Sequence, residues 1–143
     1  MKYNTLLFPR KANQTNFSLF LLSMRLLFGS LLMTHGYAKL MGFAAMSASF
    51  PDPLGIGSRY SLMPAIFGEL FCSVAFVFGF LYRLSMIPMI VTMAVAFFFV
   101  HGGSITGGEL AFVYLVVFIL MYMVGPGKYS VDHWMTNSGK RRR

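Results

Sequence analysis

The sequence predicts an all-α integral membrane protein, an antiparallel four-helix bundle, on three observations. Hydrophobic residues make up 57% of the chain and charged residues only 11%, a balance foreign to soluble globular domains. Apolar stretches recur at 17–38, 62–80, 84–100 and 109–124, each near the length that crosses a hydrocarbon core about 30 Å thick. The second and third connections, FLYRLS and HGGSITGGEL, are short enough to force antiparallel neighbours. The chain divides into an N-terminal arm at 1–16, the four-span domain at 17–127 and a basic tail at 128–143.

Charge sets the expected orientation. Twelve Lys and Arg against four Asp and Glu give a net charge of +8. On a soluble chain this would raise the question of nucleic acid. Here the basic residues bracket the spans instead. Lys2, Arg10 and Lys11 precede the first, Arg83 lies in the second connection, and Lys128 with Lys140 to Arg143 follow the fourth. The positive-inside rule then places both termini in the cytoplasm. The lone Cys72 excludes an internal disulfide, a CxxC redox pair and a four-cysteine zinc or iron–sulfur site within this chain. No metal site is expected.

The first span, RLLFGSLLMTHGYAKL at its centre, carries the costly residues. At about 100° per residue, Arg25, Gly29, Leu32, Gly36 and Lys39 share one face, with His35 to one side. An arginine at a membrane-helix centre costs roughly 2.5 to 3.5 kcal/mol unless it meets an acid, a ligand or water, so this face should look inward. The long connection 41–60 follows, where Pro51, Pro53, Gly55 and Gly57 force turns; it is a plain loop or a lid. The second span begins near Leu62, with Pro64 in its first turn, where a missing N–H breaks no bond. Glu69 lies two turns in. The third span has Pro88 near its start and ends at His101. The glycine-rich turn after it sets His101 and Glu109 at neighbouring helix ends. The fourth span is stopped by Gly125, Pro126 and Gly127, and Tyr129 and Trp134 in the tail suit the membrane interface.

Depth along the helices, at about 1.5 Å per residue, places Glu69 between Arg25 and His35. Arg25 and Glu69 are the first candidates for a structural ion pair, with His35 and Lys39 as competing partners. The pair would set helix packing more than stability. His35, Lys39, Glu69 and His101 occupy the outer half, over an inner half of Phe, Leu, Met and Val, and so are the candidate ligand-binding residues. Nothing marks a hydrolase triad, and two histidines near helix ends are a poor haem site. Four short spans without an internal repeat do not describe a stand-alone transporter.

RLLFGSLLMTHGYAKL, PDPLGIGSRYSL, the GEL around Glu69, VHGG and GPGKYSVD occur in an order and spacing that resemble the DoxX family of four-span bacterial membrane proteins over nearly the whole chain. The family takes its name from a subunit of an archaeal terminal quinol oxidase and is related to a membrane subunit of thiosulfate:quinone oxidoreductase. The resemblance implies a small multi-pass subunit in the bacterial cytoplasmic membrane, working beside another membrane protein or as a homo-oligomer. The resemblance further implies no intrinsic cofactor and a role linked to a quinone such as menaquinone. A quinone needs hydrogen-bond donors for its carbonyls, an apolar slot for its tail and a proton acceptor when the quinol is oxidised, and His35 and Glu69 have the chemistry for the last task. Two other classes compete: a structural or chaperone-like partner of another membrane protein, and a binding protein for a lipid or small molecule.

Overall fold

The structure, a computed structural model, describes residues 13–140; Lys2, Arg10 and Lys11 and the end of the basic tail at 141–143 lie outside them. Helix α1 spans Gln14–Met41 and starts where the Asn13 side chain accepts from the Thr15 N–H. A one-turn helix, α2, covers Phe43–Met46. Three further spans follow, α3 at Ser58–Phe78, α4 at Tyr82–Val100 and α5 at Ile105–Val124, each long and apolar enough to cross a membrane, as α1 is. A short helix, α6, closes the described chain at Val131–Lys140. The bundle is all-helical, as the composition predicts.

All four spans begin two to four residues before the apolar stretches read from the sequence, and in α3 and α4 this moves a proline inward. Because α3 starts at Ser58, Pro64 lies inside the helix and not in its first turn; its ring nitrogen cannot donate to the carbonyl one turn back. Pro88 likewise lies inside α4. Each proline is followed by a π-helical segment, Phe67–Phe71 in α3 and Ala96–Val100 at the end of α4. Segments of this kind accommodate an extra residue in a helix and recur at functional sites.

The connection 42–57 is an ordered loop with its own anchor. Asp52 accepts from the backbone N–H of Ile56 at 3.0 Å and of Gly57 at 2.6 Å, and from the Ser61 hydroxyl at 2.7 Å. The Ser61 bond above all, with the backbone donors, holds the Asp52 carboxyl below the usual aspartate range, so it is ionised at neutral pH. The Arg59 guanidinium lies 5.9 Å from the Phe43 ring centroid, which ties α2 to the start of α3.

Small residues set the register of α1 on α3. A methyl group on Gly36 would come within 2.6 Å of the Leu70 nitrogen, so the two backbones touch there. A methyl on Gly29 would meet Val77 at 2.4 Å. The core below is aromatic and thioether-rich. Phe76 stacks on Tyr82 with centroids 5.6 Å apart and meets Phe118 edge-on at 5.4 Å, while Met86, Met89 and Leu32 are buried around them. Consecutive spans pack side by side, whereas α1 and α5 meet chiefly through rings: Phe28 on Tyr114 at 5.9 Å and His35 on Tyr114 at 6.4 Å.

Candidate functional site

The charged residues of the bundle form two groups at opposite ends. At the end away from the termini, the π segment of α3 carries Glu69 into the interior, where only 4% of it is exposed. Its carboxylate accepts from the Lys39 ammonium, the one ion pair among the described residues. Gly36 lets α1 approach closely enough for that contact, because Lys39 lies one turn beyond it on the same face. The Tyr114 ring, buried in α5, feels the Glu69 charge and meets the His35 ring edge-on. His35 itself is exposed at the α1–α5 edge. Three of the four expected ligand residues, His35, Lys39 and Glu69, thus gather around Tyr114, which sequence reasoning passed over as an ordinary core aromatic.

His101 is not part of this group. It sits exposed at the turn into α5, where a methyl on Gly108 would meet its Cβ at 2.8 Å. Glu109 is exposed beyond the first turn of α5. None of His35, Lys39, Glu69 or His101 lines either of two clefts that open among the described residues. One of them is an apolar slot of about 440 Å³ between α3 and α4, lined by Phe71, Cys72, Ala75, Leu84, Ile87 and Pro88.

Arg25 and Glu69 do not meet, which corrects the expected ion pair. Arg25 is fully buried at the other end of the bundle, and its Nη2 donates to the backbone carbonyl of Tyr129. The reason is register. With Gly36 against Glu69 and Gly29 against Phe76 and Val77, Arg25 comes level with Gly79, ten residues down α3 and about 15 Å from Glu69. Glu69 is thereby held level with Gly36, eleven residues along α1 from Arg25 and beyond the reach of an arginine side chain.

Around Arg25 the chain builds a second polar group. Gly79, at φ +67°, ends α3 in the left-handed region, and a methyl there would strike Arg25 Nη1 at 2.0 Å and the Ser130 Cβ at 2.6 Å. Asp132 accepts from the backbone N–H groups of Leu81 at 2.9 Å and Tyr82 at 2.8 Å, capping α4, while its own N–H donates to the Gly79 carbonyl at 3.0 Å. Its charge also acts on Arg25. The Tyr82 hydroxyl donates to the Met121 carbonyl at 3.1 Å. Arg25 Nε and Nη1 and the Ser73 hydroxyl are buried without a hydrogen-bond partner among the described residues. Asp132 also escaped sequence reasoning. Its signal was the GPG stop before KYSVD, which turns the chain back beneath the spans.

The protein-family model DoxX matches residues 20–102, more than half of the chain. No curated protein and no solved structure matches.

Proposed function

Because the chain belongs to the DoxX family, we propose that it is a small membrane subunit supporting a quinone-linked oxidoreductase, with a quinone headgroup site at His35, Lys39 and Glu69. The observation that carries this reading is the buried Lys39–Glu69 pair beside Tyr114. A quinone carbonyl needs a donor, and the Lys39 ammonium and the Tyr114 hydroxyl are donors at one level of the bundle. A quinol hydroxyl needs a proton acceptor, and the Glu69 carboxylate and the His35 imidazole serve at that same level. The headgroup would enter from the lipid at the α1–α5 edge, where His35 is exposed and the helices meet mainly through rings. His101, at the turn into α5, would meet the ligand only at the mouth. Electrons released by a quinol would pass to a partner oxidoreductase, and the protons to the compartment facing the 101–104 turn.

A short-chain menaquinone added to the detergent-solubilised protein should raise its thermal midpoint. His35→Ala and Tyr114→Phe should each abolish the rise while leaving the helical signal unchanged. A quinone that leaves the midpoint unchanged even in lipid and beside copurified partners would leave these charges with a packing role alone.

The orientation in the bacterial cytoplasmic membrane is part of the same proposal, with both termini on the cytoplasmic side as the flanking Lys and Arg favour. In intact cells a Ser104→Cys variant should react with a membrane-impermeant maleimide and a Ser138→Cys variant should not. The reverse pattern would overturn the orientation and, with it, the side on which protons are released.

A further inference from the structure

At the end that carries both termini, a cleft of about 450 Å³ opens between the start of α1, the 125–130 loop and α6. Phe17, Leu21 and Val124 give it apolar walls, and Gln14, Lys128 and His133 stand around them. Asp132 also lines the cleft, but its oxygens already accept from Leu81 and Tyr82 and its charge is opposed by Arg25. Lys128 makes no ion pair among the described residues, so it is the free cation of the described cleft lining.

The surroundings fix its depth in the membrane. Trp134 and Met135 on α6 are largely exposed, as are Phe17 and Phe20, whose rings stack with centroids 6.5 Å apart. Tryptophan and other aromatic rings beside basic residues settle at the boundary between acyl chains and headgroups. A cleft at that boundary, apolar on its walls and cationic at its rim, matches a lipid whose acyl chain and phosphate are joined within one molecule. Basic pockets between membrane helices hold anionic headgroups in this way.

We propose that the cleft between α1 and α6 is a binding site for an anionic phospholipid, with its phosphate at Lys128 and its acyl chain along Phe17 and Leu21. The site lies at the opposite end of the bundle from Lys39 and Glu69, so it stands or falls independently of the quinone reading.

The test uses the full chain in detergent, with lipid retention read by native mass spectrometry and stability read by the thermal midpoint. Phosphatidylglycerol should be retained and should raise the midpoint, whereas phosphatidylcholine and glycerol phosphate should do neither. Lys128→Gln should weaken phosphatidylglycerol retention about fivefold, the effect expected for one basic residue near a membrane surface, and Lys128→Arg should keep it. Arg83→Gln removes the same charge from a residue packed over the Tyr122 ring, outside the cleft lining, and should leave retention unchanged. An equal loss in Arg83→Gln would mean a diffuse attraction and overturn the site. Equal binding of phosphatidylcholine would mean apolar filling alone, and equal binding of glycerol phosphate would mean a phosphate site without a lipid; either result also overturns the proposal.

Discussion

Glu69→Gln is expected to destabilise the bundle by about 3 to 5 kcal/mol, because it leaves the Lys39 ammonium in the interior without its counter-charge. Both groups are largely out of contact with solvent, at 20% and 6% side-chain exposure, so screening by water gives little relief. The double variant Lys39→Met/Glu69→Gln should lose less than Glu69→Gln alone, since it removes the stranded charge together with its partner. Unfolding of Glu69→Gln, Lys39→Met and the double variant in one detergent measures this. Losses that simply add would mean that Lys39 and Glu69 act separately. Arg25→Met combined with Glu69→Gln should be close to additive, because about 15 Å of α3 separates the two sites.

The second large effect is expected at Asp132. Leu81 is the one non-glycine residue with positive φ among the described residues, at +45°, a conformation that costs roughly 1 to 2 kcal/mol. The Asp132 carboxylate offsets that strain by accepting from both Leu81 and Tyr82 at the head of α4. Hydrogen bonds to a charged acceptor contribute about 1.5 to 3 kcal/mol each, and loss of a helix cap costs about 0.5 to 2 kcal/mol. Because Asp132 is partly exposed and water can replace some of this, Asp132→Ala should lose about 3 kcal/mol. Asp132→Asn, which keeps one acceptor oxygen, should lose about half as much. Thermal unfolding ranks the two, and trypsin cleavage at Arg83 should speed up in the same order. Alanine and asparagine variants as stable as the parent would show that the cap is dispensable.

The spans were legible because hydropathy reports directly on what a bilayer accepts, residue by residue. The inward face of α1 was legible for a related reason: helical periodicity alone puts Arg25, Gly29, Leu32, Gly36 and Lys39 on one line, and the structure buries all of these except the partly exposed Lys39. Pairing was not legible to the same degree. Which acid meets which base depends on the axial offset between helices, and the close contacts at Gly29 and Gly36 set Glu69 level with Gly36 and not between Arg25 and His35. That offset was enough to exchange Arg25 for Lys39, which sequence reasoning had left as a competitor. Tyr114 and Asp132 were hidden for different reasons. Tyr114 has the burial pattern of any core aromatic, and its proximity to Glu69 follows from the packing of three helices. Asp132 acts through backbone N–H groups 50 residues away, and backbone donors leave no trace in a sequence.

The bond from Arg25 to the Tyr129 carbonyl joins residues 104 positions apart, and this imposes an order on biosynthesis. At roughly 5 to 20 residues per second, the first span is made about 5 to 20 s before the ribosome reaches Tyr129. Throughout that interval the nascent chain holds a cation in its leading helix with no carbonyl from the tail to receive it, and Asp132 is also unmade. Until then the guanidinium must stay with water, lipid phosphate or the insertion machinery. The spans can therefore enter the membrane in sequence, but the end of the bundle that carries both termini locks only after translation of the last helix. A stop codon between Val124 and Tyr129 would leave four apolar spans with their most expensive residue unattended, a ready substrate for membrane proteolysis.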